Sequence, residues 1–137
     1  MTNLFSVEGK TVLVTGGSRG IGRMIADGFV QAGARVYISS RKREVCDATA
    51  AELSKAGTCI SLPADLSTPH ACEGLAGELA RREEGLHVLV NNAGANWGAP
   101  LAEFPESGWD KVMDLNLKAV FFLTRNLVPE LEKVATA

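Results

Sequence analysis

The stretch TGGSRGIG, from Thr15 to Gly22, carries the strongest chemical signal in the chain. It stands where an apolar run ends and a helical pattern begins. A strand delivering Thr15 into a glycine turn, with a helix starting near Gly20, leaves backbone N–H groups unpaired at the positive end of a helix dipole. Such groups bind anions. Gly16 permits the tight turn, Gly20 lets a pyrophosphate approach the main chain, and Gly22 lets the helix pack close to the strand, each for want of a β-carbon. Gly17 adds freedom without a defined role, and Ser18, Arg19 and Ile21 complete the candidate cradle. The spacing is Gly-x-x-x-Gly-x-Gly, not Gly-x-Gly-x-x-Gly, and no Gly-Lys-Ser/Thr follows. The stretch is therefore neither the commoner dinucleotide fingerprint nor a P-loop. A plain strand-to-helix turn is the competing reading.

The end of the next strand selects the nucleotide. A dinucleotide site of this kind sets that strand end beside the adenosine ribose, where NAD binders place Asp or Glu on the 2′-hydroxyl. This chain has Ser39, Ser40 and Arg41 there. Ser40 donates a hydrogen bond and Arg41 pairs with a 2′-phosphate, with Arg19 as a second cation. The expected cofactor is NADP rather than NAD. The competing reading makes Arg41, Lys42 and Arg43 a solvated helix start, an odd place for cations given the dipole.

Alternating elements must position these residues. Four continuous apolar runs, Thr11 to Thr15, Arg35 to Ser39, Cys59 to Leu62 and Val88 to Val90, have the character of strands covered on both faces. The segments between them are helical in pattern and end at Gly33, Gly57 and Gly85, each placed to close a helix in a left-handed turn. Ser67 or Thr68 before Pro69 reads as a helix start. A fourth helical pattern runs from Ser107, a candidate cap, through Trp109, Val112, Met113, Val120, Leu123, Leu127 and Leu131. Leu115, Leu117, Phe121 and Phe122 widen its apolar stripe nearly all round, so this helix needs cover on two sides. Pro129 predicts a kink or a frayed last turn. Strand and helix in alternation give a parallel sheet. The fold class is α/β, a Rossmann-type doubly wound parallel sheet with four strands and four helices.

Composition excludes several classes. With 137 residues and 46% hydrophobic content the chain is expected to form one domain, residues 1–137. The net charge of −2 and dispersed basic residues leave no footprint for nucleic acid or an anionic membrane. No apolar stretch approaches a membrane span and the N-terminus has no leader pattern, so a cytoplasmic protein is expected. Cys46, Cys59 and Cys72 form no Cys-x-x-Cys pair, which favours neither disulfides nor a metal site. They read as filler rather than as functional thiols.

Four motifs carry a family resemblance. TGGSRGIG at Thr15 to Gly22, ADL at Ala64 to Leu66, NNAG at Asn91 to Gly94 and Asn116 in DLNLKAVF resemble the short-chain dehydrogenase/reductase family, with its 3-oxoacyl-reductase-like members as the best match. The resemblance implies that Asp65 and Leu66 contact adenine, that Asn92, Ala93 and Gly94 line the cofactor, and that Asn116 belongs to a catalytic tetrad. Asp65 and NNAG follow the third and fourth strands, at the sheet edge where strand order reverses and ligands bind. Asn116 falls on the apolar stripe of the fourth helix, where a bare amide must be satisfied. A main-chain contact and a water in the proton relay are what the family offers; a privately bonded core Asn is the alternative.

The sequence also departs from that family. Its proton donor, Tyr in Tyr-x-x-x-Lys, and the preceding Ser are absent. Tyr37 begins a Tyr-x-x-x-Arg match, but in a strand positions four apart lie roughly 13 Å from each other, against roughly 5–6 Å on a helix. The chain is therefore expected to be the N-terminal half of an oxidoreductase, truncated before the Ser and Tyr-x-x-x-Lys segments and inactive alone. The reaction implied is hydride transfer between NADP(H) and a carbonyl or alcohol, with a 3-oxoacyl-type ketone as substrate. The resemblance also implies a homo-oligomer, a dimer or tetramer, through the helix containing Asn116. A non-catalytic NADP(H)-binding sensor or scaffold is the alternative. Trp97, after the fourth strand, packs against either an acyl chain or the fold.

Overall fold

The computed structural model describes residues 3–135. Strands β1 (Thr11–Thr15), β2 (Arg35–Ser39), β3 (Thr58–Ser61) and β4 (Val88–Val90) alternate with helices α1 (Gly20–Gln31), α2 (Arg43–Leu53) and α3 (Pro69–Arg82). All strand pairs are parallel, in the order β3-β2-β1-β4. The chain moves outward from β1 to β3 and then returns to the other side of β1. That reversal opens a crevice at the carboxyl ends of β1 and β4.

Side-chain alternation sorts the core into two layers. Val12, Val14, Val36 and Ile38 face α1 and α2, where Ala26, Val30, Cys46 and Ala50 complete one cluster. Leu13 and Tyr37 face the other way, against Leu75 and Leu79 of α3 and Leu123 and Leu127 of α5 (Ala119–Val134). Both sheet faces are covered, which is why the strands read as unbroken apolar runs.

Helix ends differ from the sequence expectation in instructive ways. Gly33 takes φ +86° after α1. Gly57 and Gly85 do not adopt left-handed turns: α2 closes at Leu53 through Ser54, and α3 closes at Arg82 through an extended Glu83. Close approach explains both glycines. A β-carbon on Gly57 would lie 3.0 Å from the Val30 side chain, and one on Gly85 would lie 2.5 Å from Val134. Thr68 caps α3, its hydroxyl accepting from the Ala71 N–H at 3.2 Å with Pro69 in the first turn. β3 starts one residue earlier than its apolar run, although the Leu62 N–H still donates to the Ile38 carbonyl at 2.8 Å.

The fourth helical pattern is three pieces in one run. A short 3₁₀ turn (Leu101–Glu103) leads to α4 (Glu106–Met113), a π turn (Asp114–Lys118) and α5. Pro105, not Ser107, precedes the first turn, because its fixed φ already suits a helix entry. Pro129 does not end α5, which continues to Val134. Buried Leu127 and the Leu86 N–H, which donates to the Glu130 carbonyl at 3.0 Å, hold the chain helical on both sides of the proline. One face of the run packs on α3, while Trp109, Leu117 and Phe121 stay exposed on the other.

The α3–α5 layer rests on few large side chains, with Leu127 fully buried among them. Leu127→Ala is expected to cost about 2–5 kcal/mol, read as a lower urea midpoint with an unchanged slope.

Candidate functional site

The crevice is built from the loops after all four strands. After β1 the chain turns on Gly16 (φ +64°) and enters α1 through Gly20 (φ +59°). Arg19 occupies the position before the helix and offers no side-chain cap, so the first amides of α1 have no partner from it. A β-carbon on Gly20 would meet nothing within 4 Å. The space before it is open, as an approaching anion requires. Gly22 is constrained instead from behind: a β-carbon there would lie 2.0 Å from the Gly16 carbonyl oxygen and 2.4 Å from Asn92 Nδ2. Gly17, read as free of a defined role, has one. Its β-carbon would lie 2.7 Å from Ile38 Cγ2, so it lets the loop close over β2.

Two side chains join the β1 and β4 loops. The Thr15 hydroxyl accepts from the Asn92 N–H at 3.0 Å and the Ala93 N–H at 2.9 Å, and donates to the Val90 carbonyl at 3.3 Å. Asn92 Nδ2 donates to the carbonyls of Thr15 at 3.1 Å and Gly16 at 3.2 Å. The Asn92 amide thus holds the glycine loop in shape. Thr15 was missed as a site residue; its place at the last position of a strand entering a glycine turn was the available signal.

A cleft of about 1030 Å³ lies above these loops, at the upper end of the range of small-molecule sites. It gathers Gly16, Ser18, Arg19, Gly20, Ser40, Arg41, Asp65, Leu66, Asn92, Ala93, Gly94 and Asn116. Ile21 and Gly22 do not line it: Ile21 points outward from the first turn of α1 and is exposed, and Gly22 is packed behind the loop. The lining also includes Ser39, Lys42, Lys111 and Leu115. Lys111 and Leu115 are four apart, the spacing that puts two side chains on one helix face.

The charge of the cleft is uneven. Among the described residues its lining carries four cations, Arg19, Arg41, Lys42 and Lys111, against the single carboxylate of Asp65. One oxygen of Asp65 accepts from the Ser67 N–H at 3.1 Å and shapes the turn into α3. At the β2 corner the hydroxyls of Ser39 and Ser40 are buried and have no hydrogen-bond partner. Unsatisfied buried hydroxyls are costly.

Asn116 corrects one expectation and meets another. It is exposed, because the π turn swings it off the core-facing stripe. Both polar atoms of its amide are nevertheless bonded to main chain: Oδ1 accepts from the Ala95 N–H at 2.7 Å and Nδ2 donates to the Ala95 carbonyl at 2.8 Å. A β-carbon on Gly94 would stand 3.2 Å from the same Oδ1.

Tyr37 lies far from this chemistry, fully buried in β2 with its hydroxyl bonded to Glu83, which also pairs with Arg35. Burial, and then Glu83, push the phenol above its ordinary pKa. The three cysteines are free and buried, and burial beside Cys46 pushes the Cys59 thiol up to about 11. A thiol held that high is unreactive. Among the described residues no group of side chains is arranged to hold a metal ion, and no helix is long and apolar enough to cross a membrane.

Comparison with known proteins matches residues 10–136 to the short chain dehydrogenase family. Over 133 residues the chain is 50% identical to the rhamnolipids biosynthesis 3-oxoacyl-[acyl-carrier-protein] reductase of Pseudomonas aeruginosa, covering 97% of this chain and 52% of that protein. It is 37% identical over 135 residues to the gluconate 5-dehydrogenase of Gluconobacter oxydans, covering 93% of this chain and 52% of that one. Among solved structures, the Pseudomonas aeruginosa RhlG/NADP active-site complex superposes with a TM-score of 0.95 at 50% identity, over 100% of this chain and 54% of that one. The L-sorbose reductase of Gluconobacter frateurii, complexed with NADPH and L-sorbose, gives 0.87 at 28% identity, over 92% and 49%. The chain spans about half the length of these relatives. All four are named as reductases or dehydrogenases or hold NADP(H), and none supports a sensor or scaffold.

Two glycines of α1 should respond with opposite sign. Gly22→Ala forces a β-carbon into the Gly16 carbonyl and is expected to cost roughly 1–3 kcal/mol. Gly28→Ala, which meets nothing within 4 Å, is expected to gain about 0.4–1 kcal/mol. Chemical denaturation of the two variants side by side checks both.

Proposed function

Because the chain belongs to the short-chain dehydrogenase family, we propose that it is the NADP(H)-binding half of a carbonyl reductase acting on a 3-oxoacyl-type ketone. The observation that carries this reading is the β2 corner. Two unpartnered buried hydroxyls, Ser39 and Ser40, stand there beside Arg41 and Lys42, in a cleft whose only carboxylate among the described residues is Asp65. A free ribose hydroxyl would call for an acidic acceptor at this corner, and a 2′-phosphate calls for donors and cations.

The residues divide the work as follows. Gly16, Ser18, Arg19 and Gly20, with the free amides of α1, receive the pyrophosphate. Ser40 and Arg41 hold the 2′-phosphate, Asp65 and Leu66 border the adenine, and Asn92, Ala93 and Gly94 form the wall beside β4. Ile21 follows the cradle in sequence and contributes its main-chain amide, since its side chain points away. When bound, the reduced nicotinamide supplies the hydride that adds to the carbonyl carbon. Asn116 holds the Ala95 main chain at the reacting end, and the proton for the oxygen comes from Ser and Tyr-x-x-x-Lys segments that follow residues 1–137 in the whole protein.

The relative named as a 3-oxoacyl-[acyl-carrier-protein] reductase supports the ketone class. The exposed Trp109, Leu117 and Phe121 support a homo-oligomer through the helical run containing Asn116, since apolar residues that gather on one exposed face mark an interface. Free buried cysteines fit a cytoplasmic protein.

Arg41→Asp in the full-length protein tests the reading. It is expected to weaken NADPH binding about 10- to 100-fold, the loss of one charge-assisted contact, and to tighten NADH, measured by nucleotide fluorescence titration. Equal affinity of the unaltered protein for both nucleotides would overturn it.

A further inference from the structure

We propose that Thr49 of α2 is a positioning residue for the nucleotide: its hydroxyl holds the Ser18–Arg19 peptide in the orientation that receives the pyrophosphate. This role rests on the NADP(H) reading above, and it places a determinant of cofactor affinity outside the cleft.

Thr49 is unexpected by type. It stands on the buried face of α2 with Cys46, Ala50 and Leu53, and is only 3% exposed. A threonine within a helix commonly turns its hydroxyl back onto the carbonyl four residues earlier. Thr49 instead donates to the Ser18 carbonyl, 31 residues away in sequence, at 2.9 Å in a buried bond. Valine has the same shape, so packing alone does not call for the hydroxyl.

The bond governs what the glycine loop presents. The carbonyl and N–H of a planar trans peptide point in opposite directions, so drawing the Ser18 carbonyl toward α2 turns the Arg19 N–H away from it. A carbonyl oxygen free to swing into the cradle would repel a pyrophosphate, which is held by N–H groups. Ser18 and Arg19 both line the cleft, and Gly20 (φ +59°) opens α1 directly after them. The loop's other tie on this side is the Gly17 N–H, which donates to the Ser39 carbonyl at 3.3 Å.

α2 is a firm base for this contact. The Cys46 thiol donates to the Ile38 carbonyl at 3.6 Å, the Ser61 hydroxyl to Asp47 at 2.6 Å, and the Ser54 hydroxyl to the Cys59 carbonyl at 2.8 Å. These bonds fasten α2 to β2 and β3, and the helix begins directly after Arg41 and Lys42 of the 2′-phosphate corner. Removing the Thr49 hydroxyl therefore releases the glycine loop and leaves that corner in place.

The test uses the full-length protein. Thr49→Val is expected to weaken NADPH about 3- to 10-fold, the worth of one hydrogen bond, in a fluorescence titration. Adenosine 2′-phosphate, which carries the corner's phosphate but no pyrophosphate, should bind as before when it competes with NADPH. KM for NADPH should rise by the same factor while kcat at saturating NADPH is kept. Thr49→Ser keeps the hydroxyl and should recover the affinity. Ser54→Ala removes another α2 hydroxyl bond, and should lower the urea midpoint without changing NADPH affinity. Unchanged NADPH affinity in Thr49→Val, an equal loss for adenosine 2′-phosphate, or the same loss of NADPH affinity in Ser54→Ala would overturn the role of Thr49. If NADPH binds with the expected dependence on Thr49 but no 3-oxoacyl thioester is reduced, that role stands and the reductase reading fails.

Discussion

The hydrogen bonds joining Thr15 to the Asn92–Ala93 backbone, and the Asn92 amide to the carbonyls of Thr15 and Gly16, are the constraint on which the rest of the site depends. A doubly wound sheet opens a crevice at its switch point, but the topology alone leaves the two flanking loops free to move. Here each loop satisfies polar groups of the other. Each bond contributes only about 1 kcal/mol net, yet removing one partner strands a half-buried donor or acceptor. The geometry of the glycine turn is therefore held from the far side of the crevice.

That bracing explains why glycine is demanded at particular places. Gly22 must present no β-carbon to the Gly16 carbonyl and the Asn92 amide, and Gly17 none to Ile38. Gly20 faces open space and is needed for its positive φ. Three glycines within six residues thus answer to three different constraints: the braced loop, the core and the backbone turn itself.

The architecture was legible because apolar continuity and glycine punctuation are local signals. The four strands and the parallel sheet followed from them, as did the cap at Thr68, where the hydroxyl, the proline and the helical pattern agree. What escaped depends on contacts distant in sequence. Gly57 and Gly85 look like helix terminators, but their reason lies in Val30 and Val134. Asn116 shares the helical period of a core residue, and only the one-residue insertion of the π turn moves it to the surface. The cleft residues from the four strand ends were readable as motifs. Lys111 was not, since nothing local distinguishes a lysine that reaches a cleft from one that reaches water.

The π turn also reconciles two demands on one helical run. Ala119, Leu123 and Leu127 must keep a four-residue step to pack on α3, and Asn116 must face the Ala95 main chain. A regular helix turning about 100° per residue would carry Asn116, three residues before Ala119 and seven before Leu123, into the arc that those core side chains occupy. Five-residue closure, with the Ala119 N–H donating to the Asp114 carbonyl, inserts one residue and re-aims the local face. π turns are frequent at functional sites. The core register is kept below the insertion, and the amide that fixes the β4 loop is delivered above it.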